Sequence, residues 1–146
     1  MCPAGALPAL QAAVDHGADW VYLGLRDDTN ARNFPGLNFD GEALAAGLAY
    51  AHARGRKVAM AVNTYPQAER WARWTAAVDR AAALGADAII VADAGLMRYA
   101  CRAHPRLERH LSVQASATSY EAINFFHEHF GVKRAVLPRE IGRAHV

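Results

Sequence analysis

Four times in this sequence a helix-like stretch runs into a glycine, and a short apolar run follows. The junctions are His16-Gly17 before residues 20–25, Arg54-Gly55 before 58–62, Leu84-Gly85 before 88–91, and Phe130-Gly131 before 135–137. Glycine just past a helix end takes the left-handed conformation that closes the helix without a Cβ clash. A parallel strand buried on both faces reads as a continuous apolar run rather than an alternating one. Two junctions are near copies, Gly17-Ala18-Asp19-Trp20-Val21 and Gly85-Ala86-Asp87-Ala88-Ile89. Repetition of this grammar predicts repeated βα units, and hence an α/β fold with a parallel sheet.

The length of 146 residues, 53% of them hydrophobic, is enough for one domain with a sizeable core. A net charge of +2, with scattered basic residues, speaks against nucleic acid as a partner. The chain lacks an 18-residue apolar run and the charged-then-apolar start of a signal peptide, so a soluble, cytoplasmic protein is expected. Cys2 and Cys101 stand too far apart in sequence to suggest a disulfide framework or a metal knuckle.

Residues 1–5 read as the tail of a first strand. A helix over 7–16 leads to a strand over 20–25, and a long polar loop runs from 26 to 39. Asp40 is a candidate N-cap for a second helix with Leu44, Leu48 and Ala51 on one face. A strand over 58–62 ends in Asn63-Thr64. The next helix carries Trp71, Trp74, Val78 and Ala82 at helical spacing, which marks the tryptophans as core packing. A strand over 88–91 precedes Asp93 and a helix that stops at His104-Pro105. A fifth strand is expected near 110–113, a helix from the capping box Thr118-Ser119-Tyr120-Glu121, and a sixth strand near 135–137.

Five or six successive parallel strands form either an open doubly wound sheet or part of an eight-stranded barrel, which usually needs about 200 residues or more. No Gly-x-Gly-x-x-Gly follows the first strand, so a dinucleotide-binding sheet has no support. The expected fold is an incomplete TIM-barrel-like domain. Residues 1–146 are read as the N-terminal part of one such domain, open where strands seven and eight would close it.

In both architectures ligands bind at the carboxyl ends of the strands. Those positions hold Cys2, residues 26–32, Asn63, Asp93, Gln114, Ser116 and Arg139. Asn30, Arg32, Asn63, Asp93, Gln114 and Ser116 are the candidate substrate-binding residues, with Arg32 suited to a charge-assisted pair with a carboxylate. Each has a second reading. Asp93 and Ser116 can serve helix caps, Asn63 can satisfy loop backbone, and Arg32 can pair with Asp27 or Asp28 to brace the loop. His127 and His129, two apart on a helix, point to different faces and cannot chelate one metal. No nucleophile, base and orienter stand in a recognisable order, and no metal ligand set is seen.

Several strings carry a resemblance. They include Cys2-Pro3-Ala4-Gly5, Asp27-Asp28-Thr29-Asn30-Ala31-Arg32, Gly36-Leu37-Asn38-Phe39 and Val62-Asn63-Thr64. Further along come Ser112-Val113-Gln114-Ala115-Ser116-Ala117-Thr118, Glu121-Ala122-Ile123-Asn124-Phe125-Phe126 and Leu137-Pro138-Arg139-Glu140. Together they resemble the collagenase-like peptidase family, and within it the branch that serves ubiquinone biosynthesis. The final residues 142–146 depart from the family pattern. The resemblance implies a barrel-like domain and a role in oxygen-independent hydroxylation of a small-molecule quinone precursor, as a heterodimer with a UbiV-like partner. It also implies a 4Fe-4S cluster on four cysteines of the full-length protein. Neither Cys2 nor Cys101 matches those ligands, so the chain itself is expected to hold no cofactor and to be inactive alone. Other expectations within the family are a peptidase or an RNA-hydroxylating protein, and outside enzymes a catalytically silent, partner-docking piece.

Overall fold

The computed structural model describes residues 1–138, so Arg139, Glu140 and the divergent end at 142–146 lie outside the described residues. Six strands alternate with five helices: β1 (Cys2–Pro3), α1 (Leu7–Asp15), β2 (Trp20–Gly24), α2 (Gly41–His52), β3 (Lys57–Val62), α3 (Trp71–Ala83), β4 (Ala88–Val91), α4 (Ala94–Ala103), β5 (Glu108–Leu111), α5 (Tyr120–Phe130) and β6 (Arg134–Ala135). Every neighbouring pair is parallel and the spatial order follows the chain order, β1 to β6. This is the expected curled half-barrel of a TIM-barrel-like fold.

The junction glycines do what their positions predicted: Gly17, Gly55, Gly85 and Gly131 all have positive φ, between 61° and 91°. The aspartates of the repeated Gly-Ala-Asp strings tie each new strand to its neighbour. Asp87 accepts the backbone N–H of Val58 at 2.8 Å and the His52 imidazole at 2.9 Å, and Asp19 accepts from Arg56 at 3.1 Å. A carboxylate at a strand start thus takes up a backbone donor that would otherwise be orphaned.

The two faces of the sheet differ. Outward-facing Val21, Leu23, Val58, Met60, Val62, Ile89, Val91 and Leu111 pack with Leu10, Leu44, Leu48, Val78, Leu96 and Met97 of the helices, nearly all of them solvent-inaccessible. Each such aliphatic burial stabilises the fold by about 1.5–3 kcal/mol. The inner face has a smaller cluster of Ala59, Ala88 and Ile90 beside Trp20 and Tyr22. Small residues there leave room above them.

Several details differ from the sequence reading. β5 begins at Glu108 and β6 at Arg134, each slightly earlier than expected. The α5 cap is Ser119, whose side chain accepts from Ala122 N–H, so the helix starts one residue later than a Thr118 cap would place it. Of the two tryptophans only Trp74 is core, at 2% exposure; Trp71 is 36% exposed and lies edge-on to Tyr99. It is the first residue of α3, and its ring covers the outside of α4 beside Gly95 and Tyr99 rather than facing the sheet core.

A polar bracket joins α3 to α4. The Tyr99 hydroxyl donates to Asp79 Oδ1 at 2.8 Å, and His104 Nε2 meets the same oxygen at 2.6 Å. Hydrogen bonding to His104, and secondarily to Tyr99, holds the Asp79 carboxyl below its ordinary range, while the bond to Asp79 raises the Tyr99 phenol. The sign follows by linkage. A depressed carboxyl contributes stability that is full above the unfolded pKa, about 3.9, and is lost as pH falls through the folded value. The expected result is a larger acid-induced drop in melting temperature for the wild type than for Asp79→Asn. Parallel acid limbs in a pH series would refute it.

Candidate functional site

The carboxyl ends of β1–β5 surround a cavity of about 290 Å³, lying on the inner face of the half-barrel. Gly24, Ala61 and Ile90 form its small, apolar floor; Tyr22, Asn30, Arg32, Asn63, Ser112 and Gln114 supply polar atoms; Phe34, Leu37 and Val136 stand at its rim.

The 26–39 loop is built to hold one wall of that cavity. Leu25 and Phe39 bridge its two ends, and the Arg26 guanidinium donates to the carbonyls of Leu37 and Asn38. Asp27 folds back to accept the N–H and hydroxyl of Thr29 at 3.0 and 2.6 Å, a local Asx turn. Asp28 is paired with Arg70 at 2.8 Å and Arg73 at 2.6 Å, which fastens the loop to the start of α3. Thr64 donates to the Asp28 carbonyl, and Trp74 Nε1 donates to Thr64 Oγ1 at 3.0 Å. Asn38 has a left-handed backbone, φ 75°, a conformation asparagine tolerates better than most residues; its amide donates to the Arg32 carbonyl at 2.8 Å.

Asn30 is 5% exposed, and both ends of its amide are engaged: Nδ2 donates to the Leu25 carbonyl at 3.1 Å and Oδ1 accepts from Arg32 N–H at 3.1 Å. Its role is to shape the loop. Asn63 Oδ1 accepts the Ala31 N–H at 3.0 Å, while its Nδ2 reaches Ser112 Oγ at 3.4 Å, leaving one N–H without a partner among the described residues. Arg32 does not pair with Asp27 or Asp28. Its guanidinium meets only the Tyr22 hydroxyl, at 3.0 Å, among the described residues. The loop-brace reading of Arg32 therefore gives way, because those two carboxylates are engaged by Thr29, Arg70 and Arg73.

Gln114 lines the cavity with an exposed side chain, on a short 3-10 turn whose backbone accepts from the Tyr65 hydroxyl at 2.9 Å. Asp93 and Ser116 are not brought to the cavity. Asp93 caps α4, accepting the Leu96 N–H at 2.7 Å. Ser116 is exposed and closes the 3-10 turn with φ 50°. Three polar lining residues lie outside the sequence candidates, Tyr22, Asn38 and Ser112. Tyr22 lies within a strand rather than at its end, and the period-two alternation that aims it inward was the available signal. Ser112 directly follows β5, which ends at Leu111, whereas the apolar pattern predicts a strand running on to 113.

Among the described residues the cavity wall has no carboxylate and no imidazole. Its committed groups serve the fold, and among the described residues those left over are mostly donors: Arg32, the Ser112 hydroxyl, one Asn63 N–H and the Gln114 NH2, with the Gln114 Oε1 as the accompanying acceptor. Such a wall recognises oxygen acceptors, with one positive charge for an anionic oxygen. His110 is close in sequence but lies in the inner cluster against Trp20, 1% exposed. Its Nε2 lies 2.8 Å from Glu108, and burial is the main cause holding its imidazole below the usual range.

A family model described as peptidase family U32 matches residues 5–146. A tRNA hydroxylation protein P of Helicobacter pylori is 35% identical over 97% of this chain and 33% of its own length. The Escherichia coli protein of that name is 33% identical over 97% of this chain and 30% of its own length. The solved structure of a U32 peptidase superposes with a TM-score of 0.76 at 15% identity, covering 95% of this chain and 57% of that one. The chain thus spans about a third of the length of these curated relatives. With nearly all of its residues inside the family match, this chain belongs to peptidase family U32, the collagenase-like peptidases.

Proposed function

We propose that this chain is the N-terminal part of a UbiU-like protein, acting in oxygen-independent hydroxylation of the ubiquinone ring together with a UbiV-like partner. The observation that carries the reading is the cavity itself. About 290 Å³ lies at the lower end of small-molecule sites, which run about 300–1,000 Å³, and Gly24, Ala61 and Ile90 give it small apolar lining. Oxygen-seeking donors stand around that lining, an arrangement suited to one oxygenated ring. Asn30, Arg32 and Gln114, three residues of the strings on which the likeness to the ubiquinone branch rests, line this cavity. The relatives named for tRNA hydroxylation support hydroxylation as the shared chemistry.

The described residues do not fit an iron–sulfur cluster. Such clusters take four thiolates, whereas Cys2 lies on β1 and Cys101 on α4, where its thiol donates to the Phe130 carbonyl at 3.2 Å. No group of three or more metal-ligating side chains forms among the described residues. In the proposal the cluster belongs to the remainder of the full-length protein. No helix among the described residues is long and apolar enough to cross a membrane.

The second reading is tRNA hydroxylation, favoured by the printed names of the relatives. A net charge of +2 offers little of the basic footprint that backbone binding needs. A strain deleted for the full-length gene and grown without oxygen separates the two. Lost ubiquinone with intact hydroxylated tRNA nucleosides supports the first reading, the reverse result supports the second, and no change in either overturns both. Complementation with Arg32→Ala is expected to restore less than about a tenth of the wild-type product, since a charge-assisted pair supplies tenfold or more. The melting temperature of that variant is expected to stay unchanged, because only the Tyr22 hydroxyl loses a partner. Normal product with a lowered melting temperature would instead make Arg32 a structural residue.

A further inference from the structure

Arg32 is carried by the loop but directed by the sheet. Its backbone is pinned on both sides, by Asn30 Oδ1 at the N–H and by Asn38 Nδ2 at the carbonyl. The long side chain is exposed, and the neighbouring aspartates are engaged elsewhere. Among the described residues its one side-chain hydrogen-bond partner is Tyr22, which rises from the inner face of β2 in register with Pro3 and Ala59 and packs against the Ala59, Ala88 and Ile90 cluster. A phenol on a strand is a rigid acceptor. Unlike a carboxylate, it orients the guanidinium without neutralising it, so the full charge stays available to an incoming anion.

We propose that Tyr22 is the positioning residue that aims the Arg32 guanidinium at an anionic oxygen of a ring-shaped ligand in the cavity. The inference rests on the reading of Arg32 as the ligand's anion contact. With phenylalanine at position 22 the guanidinium loses its fixed acceptor among the described residues, and it must be ordered again each time a ligand binds, which weakens binding of anions alone.

The test uses the full-length protein, titrated calorimetrically with benzoate and with benzamide, its neutral isostere. The wild type is expected to prefer benzoate by tenfold or more, a preference that Arg32→Gln removes. Tyr22→Phe is expected to weaken benzoate binding about three- to tenfold and to leave benzamide binding unchanged. In a double-mutant cycle, Tyr22→Phe added to Arg32→Gln is expected to change nothing further. Tyr22→Phe binding benzoate as the wild type does would overturn the proposal. So would an equal loss in the Arg32→Gln background, since that means the ring acts by packing. If the wild type shows no preference for benzoate, both the anion contact and its positioning fall. The hydroxylation reading is judged separately, by the quinone content of the deletion strain. Should Tyr22→Phe melt early, the Arg32 Nη–H resonances of the unliganded protein provide a second readout. They are expected to be sharp in the wild type and broadened in the variant, and an unaltered signal refutes the positioning role.

Discussion

Gly24→Ala is expected to destabilise the chain by about 3 kcal/mol, more than its single methyl group would suggest. A Cβ at position 24 would overlap the side-chain amide of Asn30 and lie only 2.8 Å from its Oδ1. A flexible surface side chain could move aside. Asn30 cannot, because it is buried and its amide already ties the Leu25 carbonyl to the Arg32 N–H. Displacing it frees the buried Leu25 carbonyl, at about 1–3 kcal/mol if left unpaired, and breaks the part-buried bond to the Arg32 N–H. The same movement would shift Arg32 and with it the cavity wall. Urea denaturation followed by circular dichroism measures the loss, and a change under about 1 kcal/mol would show that the loop adapts. Gly17→Ala makes a useful comparison: no atom lies within 4 Å of its added Cβ, so its cost comes from the positive φ alone.

Trp74→Ala is expected to cost about 4 kcal/mol, within the 3–5 kcal/mol typical of deleting a buried aromatic ring. The ring fills the space between α3 and the sheet at 2% exposure. Its Nε1–H begins a chain of hydrogen bonds running through the Thr64 hydroxyl to the Asp28 carbonyl. The variant therefore opens a cavity in the core and releases the loop that frames the ligand site. Trp74→Phe keeps most of the volume and is expected to cost roughly 1–2 kcal/mol, chiefly from the broken hydrogen bond. Trp71→Ala is expected to remain within about 1 kcal/mol of wild type, because the ring is partly exposed. Equal losses at 71 and 74 in thermal denaturation would refute this division.

Much of the architecture was legible in local sequence. The helix–glycine–strand junctions are decided within a few residues, since a left-handed helix end is close to a glycine property, and all four occur where expected. The uninterrupted apolar runs at 58–62 and 88–91 declared strands buried on both faces. Caps were equally local: Asp40 and Asp93 each accept the N–H three residues on.

The site was only half legible, and the reason is contact between distant residues. Strand-end position was enough to select Asn30, Arg32, Asn63 and Gln114 as cavity residues. It could not separate the asparagine amides that hold the loop from the guanidinium left available. That depends on partners up to 49 positions away in the chain, such as Ser112 for Asn63. It could not show that Asp28 is drawn off by Arg70 and Arg73, which join it only when α3 packs beside the loop. Nor could it distinguish Trp71 from Trp74, which share helical spacing but not burial. Local backbone preference, set by glycines, caps and apolar runs, determined the order of elements. Tertiary packing alone decided which polar groups were engaged by the fold and which were left facing the cavity.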